Sequence, residues 1–380
     1  MISLSKLPHT GTTIFTVMSA LANEVGAINL SQGFPDYDAA PELVELVNQA
    51  MKDGHNQYAP MAGLQLLREQ IAYKTEKLHG AVYNPDTEIT ITAGGTQAIF
   101  TAICAAIHPN DEVIVFEPAY DCYAPAIKLM GGTVKSMELE PPNYRINWEM
   151  VKRLISNRTR MIILNSPHNP TSTILHEEDI KELEALVKNR DILILSDEVY
   201  EHLIFDGETH RSMARYPELQ QRSFIASSFG KLFHTTGWKL GYCLAPASMM
   251  AEFRKIHQYL VFSVNTPMQV AIAQYLKNEE SYLSLASFFQ TKRDSFREGL
   301  SQTRFELLPC FGSYFQSVSF SGISEEKDTD FTIRLAKEIG VASIPVSAFY
   351  SKGTDHQVIR FCFAKKQETL DKAVERLIKL

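Results

Sequence analysis

From Ser227 to Gly241 the chain reads Ser-Ser-Phe-Gly-Lys-Leu-Phe-His-Thr-Thr-Gly-Trp-Lys-Leu-Gly, which sets Lys231 among small, apolar and hydroxyl-bearing residues beside a turn. Desolvation and a nearby cation both disfavour an ammonium ion. A lysine in that setting can give up its proton and act as a covalent amine, holding an aldehyde cofactor as a Schiff base. The competing reading is an ordinary solvated lysine, and the rest of the chain must decide between the two.

Asp197 follows the apolar run Ile192-Leu-Ile-Leu195 and is itself followed by Glu198 and Tyr200. A carboxylate at a strand end can keep a ring nitrogen protonated and so make the ring an electron sink; a helix cap or a loop ion pair is the plainer alternative. Tyr200, on the same loop, can hydrogen-bond a cofactor's phenolic oxygen, or be a packed tyrosine with a wet hydroxyl. Gly94-Gly95-Thr96-Gln97 follows a strand-like run and opens a helical one, so backbone N–H groups there can meet a phosphate. It is not a GxGxxG fingerprint and is weak evidence alone. Ser228 and Lys239, on the lysine's own loop, would complete the cradle for a dianion. Tyr120 can stack on a ring face, and Asn169 offers an amide donor, whereas His168 beside it reads as structural. Arg360 lies inside the apolar stretch Val358 to Phe363, where a guanidinium needs an anion. That anion is either a substrate α-carboxylate or an internal salt-bridge partner.

The elements that must carry these groups are short apolar runs, each ending in polar or small residues: Ile89-Thr-Ile-Thr92, Val113-Ile-Val-Phe116, Met161-Ile-Ile-Leu164, Ile192-Leu-Ile-Leu195 and Ser223-Phe-Ile-Ala226. Continuous runs of this kind suit strands covered on both faces. Helical patterns lie between them, such as Glu177 to Asn189 with its acidic opening, so the fold class is α/β with a mostly parallel sheet flanked by helices. Ligands of such sheets gather beyond the carboxyl ends of the strands, and the five polar segments that end the runs are expected to share one crevice. Tyr282 to Thr303 is expected to bridge as one helix to a smaller α+β unit, in which Ser313 to Phe320 reads as a half-buried strand, Phe331 to Ile339 as helical and Val358 to Phe363 as a strand. The expected division is an N-terminal segment 1–45 serving the small domain and the active site, a large cofactor-binding domain 46–280 and a small domain 281–380.

With 380 residues, 45% of them hydrophobic, and a net charge of −7, the chain can build a large core but offers no basic field for nucleic acid. No apolar stretch is long enough to span a bilayer. Met1 to Phe15 lacks the apolar region of a secretory signal, so a cytoplasmic location is expected. The five cysteines, Cys104, Cys122, Cys243, Cys310 and Cys362, include no CxxC pair, and no HExxH motif or close pair of histidines supports a metal site.

The segments Ser31-Gln-Gly-Phe-Pro-Asp36, Gln57-Tyr-Ala-Pro-Met-Ala-Gly63, Ala93-Gly-Gly-Thr-Gln-Ala98, Glu117-Pro-Ala-Tyr-Asp-Cys-Tyr123, Asn165-Ser-Pro-His-Asn-Pro170, Asp197-Glu-Val-Tyr200, Ser227 to Gly241 and Ile359-Arg-Phe361 occur in that order. Together they make nearly the whole chain resemble the fold-type I, class I and II (aspartate aminotransferase-like) aminotransferases that use pyridoxal 5'-phosphate. The resemblance implies that Lys231 is the cofactor lysine, Asp197 the partner of the pyridine nitrogen, and Asn169 and Tyr200 the ligands of the phenolic oxygen. It further implies that Tyr120 stacks on the ring and that Gly95, Thr96, Gln97, Ser228 and Lys239 hold the phosphate. Arg360 and Asn169 would bind the substrate carboxylate, Gly33 would let the N-terminal strand approach the substrate, and Tyr58 would reach the phosphate of a neighbouring subunit in a homodimer.

Two departures stand out: Ser172 occupies a position where the family often carries glycine, and Lys239 one where it often carries arginine. Within the family, Gly11-Thr-Thr-Ile-Phe15, Leu30 to Asp36 and Ser-Pro-His-Asn-Pro resemble the methionine aminotransferase and kynurenine or glutamine transaminase branch, which implies large uncharged or aromatic amino donors and 2-oxo acid acceptors. Phe15, Phe34, Tyr37 and Tyr120 are candidate pocket walls. The alternative within the same fold is a kynurenine or glutamine transaminase with carbon-sulfur β-lyase activity on cysteine conjugates. A regulator built on such a domain would need a basic helix-turn-helix ahead of Ser31, for which the sequence leaves no room.

Overall fold

The computed structural model describes residues 4–8 and 10–380. After a first helix, Ile14–Val25, comes the short strand β1 (Ile28–Asn29). The strands β2 (Ile89–Thr92), β3 (Glu112–Glu117), β4 (Thr133–Glu138), β5 (Thr159–Asn165), β6 (Leu193–Asp197), β7 (Ser223–Ser228) and β8 (Gly241–Leu244) then build a seven-stranded sheet in the order β2-β8-β7-β6-β5-β3-β4. All neighbours are parallel except β8, which runs antiparallel to both β2 and β7.

Every residue of β3 is buried, as are all four of β2, and each fully buried Val, Ile or Phe contributes about 1.5–3 kcal/mol. Helices cover the faces because their apolar residues recur at helical spacing. In Gly95–Ala106, Ala98, Ile99, Ala102, Ile103 and Ala106 face inward. In Glu177–Val187, Ile180, Leu183 and Val187 do the same behind a first turn of three acidic residues, where Asp179 accepts from His176 N.

The second sheet comprises β9 (Glu306–Leu307), β10 (Phe315–Ser319), β12 (Ile344–Pro345) and β13 (Val358–Cys362) in the order β12-β13-β10-β9, while β1 pairs in parallel with β11 (Val341–Ala342). All five residues of β10 are buried, not alternately exposed, because β9 and β13 flank it while helices and the large sheet's loops cover its faces. The connecting helix is likewise broken, into Glu280–Leu283 and Leu285–Leu300 with Ser284 between them. The sequence pattern does not single out β4 and β8: β4 is an edge strand with Thr133 exposed and Lys135 and Ser136 only partly buried, and β8 is a four-residue run behind the lysine loop.

Candidate active site

The carboxyl ends of the large sheet's parallel strands and the small sheet enclose one cleft, lined by Gly33, Gly95, Thr96, Tyr120, Asn169, Asp197, Tyr200, Ser228, Lys231, Lys239 and Arg360. All five strand-end segments thus meet, as the parallel order requires. The Gly94-Gly95 turn leads from β2 into the helix Gly95–Ala106. Gly94 has φ 81°, and a Cβ on Gly241 opposite would fall 2.5 Å from Ser227 O and 2.9 Å from Gly94 C. The first bond of this helix runs from Ala98 N to Gly94 O, so the N–H groups of Gly95, Thr96 and Gln97 are left for a ligand. Lys239 Nζ lies beside this turn with no carboxylate in ion-pair range among the described residues.

Lys231 Nζ donates to Gly33 O at 2.9 Å and to Tyr314 Oη at 2.7 Å, and has no carboxylate partner among the described residues. Burial, reinforced by the cations of Arg360 and Lys239, pulls it down to about 8. Asp197 is also buried, accepting from Tyr123 Oη at 2.6 Å and from Val199 N at 3.3 Å, and burial pushes it up to about 6. A carboxylate so placed favours a cationic neighbour.

Arg360 is fully buried in β13. Its Nη1 donates to Asn169 Oδ1 at 2.6 Å and its Nη2 to Ser31 O at 2.8 Å, while Nε has no partner among the described residues. The guanidinium sits 3.9 Å from the Phe315 ring centre, with Phe15 and Phe349 at 5.4 and 5.7 Å. No internal salt bridge compensates it among the described residues, and burial lowers it to about 10. The internal salt-bridge reading of Arg360 therefore finds no carboxylate among the described residues.

Asn169 gives its oxygen to Arg360, so its NH₂ is the group able to donate into the cleft. Gln97 turns away: its side chain accepts from Ala93 N and donates to Thr101 Oγ1, leaving only its backbone N–H for the cleft. Tyr58 does not line the cleft of its own chain; it is 82% exposed and packs edge-on to Phe262. Of the candidate walls, Phe15 and Tyr120 line the cleft, while Phe34 and Tyr37 lie outside it. Gly33 sits in a bend beyond β1, and a Cβ there would meet Phe315 Cζ at 2.9 Å.

Three further residues belong to the site. Asn165 donates to Asp197 O at 2.9 Å and accepts from Asn169 N at 2.8 Å, tying two strand ends to the Asn169 loop. Tyr123 holds Asp197, and Tyr314 holds Lys231. Asn165 and Tyr123 stand in the motif segments, so position in those segments was the available signal; Tyr314 had none. Ser172 keeps the left-handed backbone a glycine would adopt, with φ 61°, at a cost of about 1–2 kcal/mol. Its hydroxyl offsets this by donating to Phe315 O at 2.7 Å and bonding Ser313 Oγ at 2.9 Å.

The five cysteines form no disulfide. Among the described residues no helix is long and apolar enough to cross a membrane. The profile of the family described as aminotransferase class I and II matches residues 25–377. The chain is 51% identical to a methionine aminotransferase of Escherichia coli (strain K12) over 381 residues, 100% of this chain and 99% of the other. An E. coli crystal structure identified with a methionine aminotransferase function superposes with a TM-score of 0.98 at 51% identity, covering all of both chains. The N-succinyldiaminopimelate aminotransferase structure from Mycobacterium tuberculosis superposes with a TM-score of 0.96 at 35% identity, again covering all of both. A human kynurenine–oxoglutarate transaminase 1 is 32% identical over 395 residues, 94% of this chain and 93% of that one.

Proposed function

Because the chain belongs to the class I and II aminotransferases and is a transaminase, we propose that it uses pyridoxal 5'-phosphate to move the α-amino group of methionine, or of another large uncharged or aromatic amino acid, to a 2-oxo acid in a ping-pong cycle. The observation that carries the reading is the pairing, in one cleft, of a buried amine at Lys231 held only by neutral oxygens with a buried guanidinium at Arg360, neither of them met by a carboxylate among the described residues.

The donor set suits the cofactor. A phosphate dianion would take the N–H groups of Gly95, Thr96 and Gln97, the hydroxyls of Thr96 and Ser228 and the charge of Lys239. Asp197 would hold the ring nitrogen protonated, Tyr120 would lie against the ring face, and Tyr200 and Asn169 would donate to the phenolic oxygen. When bound, the group supplies an electron sink for the charge left on the substrate Cα. Arg360 and Asn169 hold the substrate carboxylate and so fix the direction of the Cα–H bond. Lys231, whose ammonium is already disfavoured, takes the proton from Cα and later returns one.

The preference for an uncharged side chain is supported by the cleft's cations, which among the described residues are Lys231, Lys239 and Arg360, each with a role above that leaves none for a side-chain carboxylate. The 51% identity to the E. coli enzyme supports methionine among the donors. The exposed ring of Tyr58 suits a homodimer in which Tyr58 of the partner subunit reaches the phosphate, the free thiols suit the cytoplasm, and segments 1–45, 46–280 and 281–380 serve as the working units.

A panel of amino donors with one fixed 2-oxo acid tests the substrate class, with pyruvate and ammonia release from a cysteine conjugate read in parallel for the lyase alternative. Methionine and phenylalanine should outrun aspartate and glutamate; the reverse order, or elimination faster than transfer, sinks the proposal. Borohydride reduction and peptide mapping should place a phosphopyridoxyl group on Lys231.

A further inference from the structure

We propose that Tyr314 is a positioning residue for Lys231: its hydroxyl and the carbonyl oxygen of Gly33 form a two-acceptor rest for the lysine amine whenever that amine is not in covalent linkage. The inference depends on the reading of Lys231 as the reacting amine.

The directions of the bonds carry it. Tyr314 Oη has one proton, which it donates to Gly33 O. Its lone pairs are therefore what it turns to Lys231 Nζ at 2.7 Å, and the same nitrogen donates to Gly33 O at 2.9 Å. A neutral amine has two protons and one lone pair. With both protons committed to this rest, the lone pair occupies a remaining tetrahedral position, directed away from the two acceptors. The rest thus presents the amine as a base instead of leaving it to rotate on a flexible stem, which is the condition for efficient proton transfer.

The hydroxyl cannot drift, because the Tyr314 ring is buried edge-on against Phe315 at 4.9 Å and Tyr200 at 5.1 Å, with Phe289 tilted against it at 5.9 Å. Tyr314 also immediately precedes β10, which pairs with β13 at Ser317 opposite Arg360. The small sheet therefore carries the carboxylate's clamp and, one residue ahead of β10, the tyrosine half of the lysine's rest, so one rigid piece bears on both the base and the substrate. The other titratable groups near Lys231 are Asp197, Tyr200, Lys239, Arg360 and Cys362; burial, with Arg360 and Lys239, favours the neutral amine, whereas Asp197 and Cys362 favour the ammonium. Tyr314, as an acceptor, also favours the ammonium.

Tyr314→Phe removes the hydroxyl and leaves the ring. In cofactor-free protein, the rate of acylation at Lys231 is followed against pH by peptide mapping; the midpoint should fall by about one pH unit in the variant, because an acceptor for the ammonium is gone. In the loaded enzyme kcat with methionine should drop roughly tenfold with KM changed less than about twofold. 3-Fluorotyrosine at position 314, a weaker acceptor of nearly the same shape, should give an intermediate midpoint, which a packing role would not produce, and it decides the matter if the phenylalanine variant folds poorly. Unchanged midpoints, or a raised KM with kcat retained, overturn the proposal. If the wild-type chain takes no phosphopyridoxyl group at Lys231, the parent reading fails, and the acylation midpoints still judge the rest by themselves.

Discussion

Lys74 and Lys231 are both withdrawn from water, but Lys74 Nζ has Glu201 Oε1 at 2.6 Å and His202 Nε2 at 3.0 Å, whereas among the described residues Lys231 Nζ has only a carbonyl and a phenol. Around Lys74 every charge is answered. Burial by itself would raise Glu201, yet Lys74, His202 and His79 hold it well below the usual carboxylate range, and burial together with Lys74 drives His202 down to about 3. Glu198 is closed off in the same way by His210 Nε2 at 2.8 Å, Ser196 Oγ at 2.8 Å and Met213 N at 3.0 Å.

These two glutamates flank the site's own residues: in Asp197-Glu198-Val199-Tyr200-Glu201, the first, third and fourth side chains line the cleft and the other two enter the paired cluster. One side of the loop is anchored by satisfied charges. The other side holds charges that the protein leaves unsatisfied, and those are the ones free to meet a ligand.

The sharpest break of this contrast is Lys231→Ala, which should bring turnover to background and remove the borohydride-fixed adduct; measurable methionine transamination in that variant would end the functional reading. Next comes Lys74→Met, which leaves Glu201 buried without its cation and should cost about 3–5 kcal/mol in urea unfolding, with much of it recovered when Glu201→Gln is added. A loss under 1 kcal/mol would mean that the paired cluster does not anchor the loop. Arg360→Met should do the opposite: kcat/KM falls roughly 100-fold, while the cofactor-free fold changes by no more than about 1 kcal/mol, since an uncompensated charge goes as two hydrogen bonds are lost. Strong destabilisation by this variant would place Arg360 on the structural side of the comparison.

The unsatisfied side was also the more legible one in the sequence. Lys231, Asp197 and Arg360 each stand where an apolar run meets, or contains, a charge that needs explaining, and the ends of parallel strands must converge, so spacing along the chain translated directly into a shared cleft. The paired side gave no such signal, because Lys74 and His79 lie on the helix Gln65–His79 while Glu201 and His210 come from distant loops, and their pairing exists only after folding. Tyr314 was hidden for the same reason: a tyrosine before a strand looks like core until the chain brings Gly33 against it. The alternation in β10 misled because pattern reports which faces are apolar, not that a second layer covers the polar one.

A subtler test uses pH on the two carboxylates of the same loop. In the cofactor-free cleft burial raises Asp197 from 3.8 to about 6, so between those values the native state holds a proton that the unfolded chain has already released. Stability therefore falls as pH rises through that window, and above it the full penalty of a buried, unpaired charge is present. Asp197→Asn should match wild type near pH 4 and exceed it above pH 6, by roughly 2–3 kcal/mol, in cofactor-free protein. Glu201 has the reverse sign: held well below its ordinary value, its ionised form contributes stability that is present at neutral pH and lost on acidification, so Glu201→Gln should be weaker than wild type at pH 7 and converge with it in acid. Urea midpoints of the three proteins from pH 4 to 8 read both at once. Curves for the two variants that bend in the same direction would show that the loop's faces are not electrostatically opposed, and the contrast drawn from Lys74 and Lys231 would fail with them.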